Sequence, residues 1–263
     1  MAAFAAAESL IRNIGRNEAI LPKNEQVPGE RYRVNDRIKV YVMDVKDTAK
    51  GPQVFLSRSH PGLVKRLFEL EVPEIFDGTV EVKSIAREAG SRTKIAVRSN
   101  DEKVDPIGAC IGPKGARKNL VTDELCGEKI DIIPYSEVTE EFISAALAPA
   151  TVDEVIKLPE SDRAYRAIVS DEQLSLAIGK EGQNARLAAK LTGFKIDIKR
   201  ESEEIIEAIF PPARELLASS DALQALKKAL TSQLKANKSE QATTELLKEI
   251  RAVEDAISDG KDV

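Results

Sequence analysis

Two short glycine-bracketed segments are the part of this sequence best suited to bind a ligand through the backbone. The first is Ile111-Gly112-Pro113-Lys114-Gly115 and the second is Ile178-Gly179-Lys180-Glu181-Gly182. Two glycines that bracket a two-residue loop allow backbone conformations closed to other residues, and without side chains there a sugar-phosphate chain can lie directly on the amides. Lys114 and Lys180 add mobile ammonium groups. The chemistry that this pattern predicts is non-covalent binding of phosphates.

Each loop is expected to join two helices. The helix that begins at the loop directs its unpaired N–H groups and the positive end of its dipole toward the same phosphates. Both copies then end in a near-identical strand, within Gly127–Ile132 in the first and Gly193–Ile198 in the second. A single Gly-x-x-Gly is usually an ordinary turn, but the repeat with matched flanks favours a tandem KH array, in which each loop clamps about four nucleotides of single-stranded RNA.

The predicted RNA-binding residues are the loop residues and the cations of the helices that follow. They are Gly112, Pro113, Lys114, Gly115, Arg117, Lys118, Gly179, Lys180, Glu181, Gly182, Arg186 and Lys190. The four glycines are needed for the shape of the loops whatever the ligand is. For each cation the alternative is an ordinary solvated side chain. Arg92 and Lys94 either face RNA from the sheet or decorate a strand, whereas Arg58 and His60 are expected to pack a linker.

Composition limits the classes of function. The chain has 263 residues, of which 42% are hydrophobic, so it is long enough for two or three small domains with a core each. Aromatic residues make up 4% and there is no Trp, so an RNA surface here relies on backbone and charge more than on stacking. A net charge of −5 is unusual for such a protein, but residues 201–263 hold 13 acidic and 8 basic residues and account for it.

The residue types that support catalysis or metal binding lack the required spacing. His60 is the only histidine, there is no Gly-x-x-x-x-Gly-Lys phosphate loop, and no carboxylate cluster has metal spacing, so no catalytic residue, metal or cofactor is predicted. Cys110 and Cys126 lack CxxC spacing and are expected to be buried small hydrophobes in a reducing, cytoplasmic compartment. No apolar run approaches the roughly 20 residues of a membrane span.

The pattern of elements predicts an α+β chain in four parts. Residues 1–59 carry short strands, one of them over Arg37–Val45, that suit a small antiparallel barrel. Residues 60–136 and 137–200 each follow the order helix, strand, strand, helix, helix, strand of the bacterial (type II) KH domain. Leu63, Leu67 and Leu70 fall on one face of the first of these helices. Residues 201–263 form an acidic tail, either two amphipathic helices or a solvated, partly frayed segment.

Several longer stretches resemble the NusA family of bacterial transcription elongation and termination factors. They are Glu30–Val34, Arg37–Val42, Leu56–Val64, Phe68–Ile75, Ile85–Lys94 and Gln173–Leu187. The resemblance covers about residues 15–200 and implies an OB-fold barrel followed by two KH domains that form one RNA-binding face. It also implies a role in pausing, intrinsic termination and antitermination on nascent transcripts, with RNA polymerase and other antitermination factors as partners.

Two departures from the family are expected. No part of the sequence corresponds to the N-terminal domain that docks on RNA polymerase, and Met1–Ala7 stands where the first strand of the barrel belongs. An open barrel exposes a strand edge. The alternative function is an RNA-binding adaptor or RNA-processing accessory protein without direct polymerase contact. An exoribonuclease of the polynucleotide phosphorylase type is disfavoured, because there the KH unit precedes the barrel and a large catalytic region precedes both.

Overall fold

A computed structural model describes residues 9–201, with gaps at 15–16, 34–35, 49–50 and 160. The predictions for Met1–Ala7 and for the acidic tail from residue 202 onward lie outside the described residues. The chain divides into two units. The first comprises residues 1–148 and 183–194, and the second comprises residues 149–182 and 195–263.

The N-terminal part of the first unit is a four-stranded sheet. Its strands are β1 (Ser9–Ile14), β2 (Asn17–Pro22), β3 (Tyr41–Thr48) and β4 (Gly51–Ser57), in the order β1-β2-β4-β3. The β2/β4 pair is parallel and the other two pairs are antiparallel. Ala19, Leu21 and Leu56 form its buried core. Among the described strands β1 and β3 are the edges of this sheet, so closure into a barrel stays a prediction.

The third strand begins later than the sequence predicts. Residues 37–40 are not strand, and β3 starts at Tyr41 and continues to Thr48. The guanidinium of Arg58 donates to the carbonyl of Lys39 over 2.7 Å, and the amide of Lys39 donates to Glu124 over 3.3 Å. The side chains of Arg58 and Glu124 therefore form hydrogen bonds with the carbonyl and the amide of Lys39. In a strand these backbone groups would bond to the neighbouring strand.

A three-stranded mixed sheet with helices follows in the same unit. The elements are α1 (Pro61–Glu71), α2 (Pro73–Phe76), β5 (Val80–Glu88), β6 (Arg92–Ser99), α3 (Pro106–Ile111), α4 (Ala116–Glu124) and β7 (Lys129–Pro134). The β5/β6 pair is antiparallel and the β6/β7 pair is parallel. Asp105 caps α3 by accepting from the amides of Ile107 and Gly108, and the Nδ1 atom of His60 accepts from the amide of Gly62 at the start of α1.

The three leucines on one face of α1 differ in burial. Leu63 and Leu67 are buried, together with Val64 and Phe68, but Leu70 is 68% exposed. The buried face of α1 includes Val64 and Phe68, so Leu70 lies at the edge of that face. Periodicity alone does not distinguish the two rotations because apolar residues lie on both.

The chain then repeats this element order without a counterpart of α2. It runs through α5 (Thr139–Ala146), β8 (Glu154–Lys157), β9 (Ala164–Val169), α6 (Leu174–Ile178), α7 (Gln183–Thr192) and β10 (Lys195–Arg200). In the second unit β8 and β9 are antiparallel and β9 and β10 are parallel. This is the arrangement of β5, β6 and β7 in the first unit. Ala150, Val169 and Ala177 form the buried core of this unit. The predicted α+β class and the duplicated element order are confirmed.

A buried carboxylate is central to the first unit. Glu128 is 1% exposed and lies just before β7. It accepts hydrogen bonds from Arg87 Nη2 (2.9 Å), from the amide of Gly90 (2.8 Å) and from Thr93 Oγ1 (2.5 Å). This carboxylate thus joins β5, the β5–β6 turn and β6 to the start of β7. The guanidinium of Arg87 compensates the charge of Glu128, and the neutral donors satisfy its remaining acceptor sites.

Buried arginines continue this network toward the N-terminal sheet. Arg87 Nη1 donates to the carbonyls of Arg58 (2.8 Å) and His60 (3.1 Å). The side chain of Arg58 is 1% exposed and pairs with Glu30 over 2.6 Å and with Glu124 over 3.3 Å. The prediction that Arg58 and His60 pack a linker is confirmed. Since both residues lie between β4 and α1, the network holds the sheet against the first helix.

The two cysteines differ in burial. Cys110 is fully buried in α3, and burial raises the pKa of its thiol to about 12. Cys126 is exposed in the turn after α4, with φ at 56°. The expectation of a buried side chain is therefore wrong for Cys126. Its left-handed conformation closes the turn into β7, and this turn faces solvent.

None of the helices in the described part of the chain combines the length and the apolar character that crossing a bilayer requires.

Replacing Glu128 with Gln should destabilise the first unit strongly. The guanidinium of Arg87 would stay buried opposite a neutral amide, and breaking a buried ion pair from one side costs about 3–5 kcal/mol. Urea unfolding followed by circular dichroism measures the change. The control is Glu81→Gln on β5, where an exposed pair with Lys83 is lost and a change within about 0.5 kcal/mol is expected. Equal stabilities of the two variants would contradict the role of Glu128.

Candidate nucleic-acid interface

The glycines of the two loops adopt matching backbone conformations. Gly112 has φ 71° and ψ 175°, and Gly179 has φ 75° and ψ 173°. Gly115 and Gly182, which end the loops, have φ of 80° and 74°. The first glycine of each pair lies in a region that only glycine occupies readily, and the second lies in or near the left-handed region. The duplication that is visible in the sequence is thus a duplication of backbone geometry.

The residue before the second glycine is also left-handed in both loops. Lys114 has φ 54° and ψ 26°, and Glu181 has φ 52° and ψ 27°. Such angles are uncommon for residues with a Cβ atom and carry a cost of order 1–3 kcal/mol. Lys114 is therefore structurally equivalent to Glu181, and Pro113 to Lys180. Lys114 and Lys180 therefore occupy different positions in their loops, a difference that the shared Gly-x-x-Gly pattern does not show.

This difference changes what each loop offers to a phosphate. Lys180 has a backbone N–H, whereas Pro113, its equivalent in the first loop, has none. In both loops the amide of the second glycine donates to the carbonyl of the first over 3.1 Å and closes the turn. Lys114, Lys180 and Glu181 are all exposed. The first loop presents a cation at its third position, and the second presents a cation at its second position followed by a carboxylate.

The helices that follow place N-terminal amides beside the loops. α4 begins at Ala116, directly after Gly115, and α7 begins at Gln183, directly after Gly182. The first amides of a helix lie at the positive end of its dipole, and in α4 the amide of Ala116 donates to the carbonyl of Pro113. A turn with successive positive φ values and a helix N-terminus together favour an anionic ligand such as phosphate.

Arg117 holds the first loop from within the protein. Its Nη1 atom donates to Glu74 Oε2 on α2 (2.8 Å) and to the carbonyl of Ala109 on α3 (2.7 Å). Its aliphatic stem covers Gly112, since an ideal Cβ at that glycine would lie 2.7 Å from Arg117 Cγ. Arg117 therefore fixes α4 to both preceding helices. A phosphate contact by this guanidinium stays a prediction, as does one by the half-buried Lys118.

The helix after the second loop lies against the β5–β6 hairpin in the first unit. Gln183 Nε2 donates to Glu88 Oε2 (2.8 Å) and to Ser91 Oγ (2.7 Å), and Arg186 Nε donates to Glu88 Oε1 (3.1 Å). Lys190, one turn further along α7, is exposed and also contributes a favourable charge to Glu88. Both predicted cations of this helix are thus near one carboxylate.

Arg92 and Lys94 do not lie on an exposed face together. Lys94 is fully buried, so neither the RNA-facing nor the surface interpretation holds for it. Its Nζ atom donates to the carbonyl of Ala148 (2.6 Å) and lies 3.4 Å from Asp131, and burial lowers the pKa of its amine. Arg92 forms a two-atom pair with Asp131 over 2.7 and 3.0 Å. Both residues join β6 to β7 through Asp131, and Lys94 also joins β6 to Ala148, two residues after the end of α5.

The carboxylates that hold the arginines were not identified from the sequence. Glu74 lies 43 residues before Arg117, and Glu88 lies 98 residues before Arg186. No local motif marks either residue, because each is brought to its partner by tertiary structure. Gln183, the first residue of α7, belonged to a stretch that resembled a known family, but nothing in the sequence indicated its partners.

Within the described range, no group of three or more His, Cys, Asp or Glu side chains is arranged to hold a metal ion.

Replacing Gly112 with Ala should cost more than replacing Gly115 with Ala. At Gly112 the new Cβ would meet Arg117 at 2.7 Å in a backbone region closed to alanine. At Gly115 the nearest atom outside the adjoining residues is the side-chain Nδ2 of Asn119 at 3.5 Å, and the backbone is left-handed. We expect losses of about 3 and about 1 kcal/mol in urea unfolding. Equal losses would show that contact with Arg117 is not tight.

Sequence comparison identifies the two repeats. Residues 58–135 match the NusA-like first KH domain, and residues 139–205 match the NusA-like second KH domain. Together these two matches cover more than half of the chain.

Curated relatives share the same region at high identity. The transcription termination/antitermination protein NusA of Bacillus subtilis is 59% identical over 199 residues, 76% of this chain and 53% of the relative. The protein of the same name from Halalkalibacterium halodurans is 60% identical over 73% of this chain and 50% of the relative. That from Thermus thermophilus is 50% identical over 77% of this chain and 52% of the relative. The chain spans about half the length of these relatives.

Proposed function

The chain belongs to the NusA family through its two KH domains, and we propose that it is a non-enzymatic RNA-binding regulator of transcription elongation, pausing, termination and antitermination. One observation carries this proposal: the two Gly-x-x-Gly loops share one backbone conformation, each directly before a helix N-terminus. Two copies of an anion-binding turn on one chain suit a repeating polyanion. The proposed ligand of the chain is single-stranded RNA, the usual partner of KH loops.

In the proposed mechanism each loop holds the backbone of the RNA. Phosphates lie on the loop amides and the helix N-termini, with Lys114 and Lys180 adding charge, while the bases are read along the adjoining groove. With few aromatic residues in the chain, the contacts depend on phosphates more than on stacking. Two linked weak sites raise the affinity by effective concentration, by about 10²-fold or more over either site alone.

The proposed link to transcription is competition for RNA structure. A nascent transcript held in extended form cannot fold into a hairpin at the same time, so binding alters pausing and termination. RNA polymerase and other antitermination factors are the proposed partners. We also propose that residues 1–59 form an OB-type domain, that residues 60–136 and 137–200 are the KH domains, and that 201–263 is a separate acidic helical tail.

Changing Lys114 and Lys180 together to Asp should abolish RNA binding without unfolding the protein. Both lysines are exposed, so the substitutions remove attraction to phosphate at little cost to the core. Fluorescence anisotropy with a labelled single-stranded RNA measures the affinity, with double-stranded RNA and single-stranded DNA as comparisons. For the wild-type protein the logarithm of the binding constant should fall with that of the salt concentration by about 0.7 per phosphate contact.

The charge-matched control is Lys65→Asp together with Lys103→Asp. These lysines are also exposed but lie outside both loops and the helices that follow. The control should keep most of the wild-type affinity at physiological salt. If both double variants lose affinity equally, net charge rather than the loops determines binding. If the loop variant binds like the wild type, the proposed clamp is wrong.

Transcription with purified bacterial RNA polymerase tests the second half of the proposal. On a template with an intrinsic terminator, the wild-type chain should change pause lifetime or termination efficiency, and the Lys114/Lys180 double variant should not. The measurement is the ratio of terminated to full-length transcript. A chain that binds RNA but leaves this ratio unchanged would be an RNA-binding accessory protein instead.

A further inference from the structure

The strand β3 lies at one edge of the N-terminal sheet and is exposed on both faces. It pairs with β4 on one side, and among the described strands none lies on its other side. Every residue of β3 after Tyr41 is exposed. An edge of this kind presents backbone N–H and C=O groups that another strand can pair with.

Two valines of β3 belong to the core face of the sheet but are not covered there. Val42 lies opposite Leu56, which is fully buried. Val45 lies opposite Val54, which packs against the same core cluster. Residues directly opposite each other on neighbouring strands share a face, yet Val42 is 47% exposed and Val45 is 55% exposed. Apolar surface of the core side therefore remains accessible at this edge.

The backbone groups of Val45 and Asp47 point away from β4. Asp47 lies opposite Pro52, and since Pro52 has no N–H, the two residues cannot exchange a pair of hydrogen bonds. Alternation along the strand gives Val45 the same direction as Asp47. In agreement, the amide of Val45 donates to Asp44 Oδ1 over 2.9 Å. A further strand would therefore bond to the backbone of Val45 and Asp47.

The opposite face of β3 carries two charges of opposite sign. Asp44 lies opposite Phe55. The Nζ atom of Lys46 is 3.8 Å from Asp44 Oδ2 and 5.2 Å from the centroid of the Phe55 ring. The side chains of Asp44 and Lys46 are both more than half exposed. An anion and a cation at alternate positions can complement the same pair on an antiparallel copy of the strand.

The charges favour one register for two antiparallel copies of β3. Pairing with β4 is irregular before Asp44, so the registers to compare are centred within Asp44–Asp47. A register centred between two residues sets outward groups against inward ones and forms no ladder. A register centred on Asp44, Lys46 or Asp47 sets that charge opposite itself. The register centred on Val45 sets each Asp44 opposite Lys46 of the other copy, and opposite charges attract where like charges destabilise.

We propose that the edge of β3 is a docking surface for a second copy of this chain, with Val45 at the twofold axis. The amide of each Val45 leaves Asp44 and donates to the Val45 carbonyl of the other copy. Each Asp44 is then available to Lys46 of the other copy, and the exposed valines at the axis cover each other. Such a contact is isologous and closes as a dimer. This inference does not depend on RNA binding.

Sedimentation velocity of the full chain over a range of concentrations tests the proposal. The protein is first treated with ribonuclease so that RNA cannot bridge two copies. We expect a reversible equilibrium of monomer and dimer, because the paired stretch is short. Lys46→Asp or Asp44→Lys turns two attractive pairs into two repulsive ones, so each should raise the dissociation constant of the dimer by about tenfold or more. The control, Lys65→Asp, makes the same charge change at an exposed position of α1 and should dimerise like the wild type.

Charge reversal identifies the register. The double variant Asp44→Lys with Lys46→Asp restores both pairs in the opposite sense and should dimerise like the wild type. Equal amounts of the two single variants should form a mixed dimer, since the carboxylates of one face the ammonium groups of the other. Circular dichroism checks that each variant is folded.

Two results would overturn the proposal. A wild-type protein that stays monomeric at its highest soluble concentration has no second copy on this edge, whether the edge is open or taken by another segment. A dimer that both single variants form as readily as the wild type uses a different surface. Neither result bears on RNA binding, which the loop variants test separately.

Discussion

The first unit depends on keeping buried charges paired. Glu128 and Arg87 lie in the interior, and removing either partner would leave an uncompensated charge there. Their remaining hydrogen-bonding groups are satisfied by the β5–β6 turn and by the carbonyls of Arg58 and His60. One network therefore fixes the end of the N-terminal sheet, the start of α1 and three strands of the first KH sheet. The helices that carry the first loop pack on this frame.

The loops need such a rigid frame because they hold unfavourable backbone angles. Lys114 and Glu181 sit in the left-handed region although both carry a side chain. A strained turn persists only where its surroundings leave no alternative. In the first loop Arg117 supplies that constraint, because it joins α4 to α2 and α3 and covers Gly112. Strain in the loop and its fixation by Arg117 are thus two parts of one arrangement.

The sequence predicted those features that are repeated or local. Matched flanks around two Gly-x-x-Gly segments predicted the duplicated order of elements, and glycine spacing predicted loops of unusual backbone. The burial of Lys94, the late start of β3 and the rotation of α1 toward Phe68 were not predicted. The first two depend on a partner far along the chain, Ala148 for Lys94 and Arg58 for Lys39. Local pattern contains no signal for such pairings, whereas repetition and turn chemistry are visible within a few residues.

The structure also divides the cations near the loops into two groups. The arginines are engaged by carboxylates, Arg117 by Glu74 and Arg186 by Glu88, because a planar guanidinium suits paired acceptor oxygens. The loop lysines, in contrast, are exposed at the strained turns themselves. An ammonium on a flexible stem adds charge without fixing the geometry of a ligand. In the proposed RNA complex the backbone amides would orient the phosphates and the lysines would attract them.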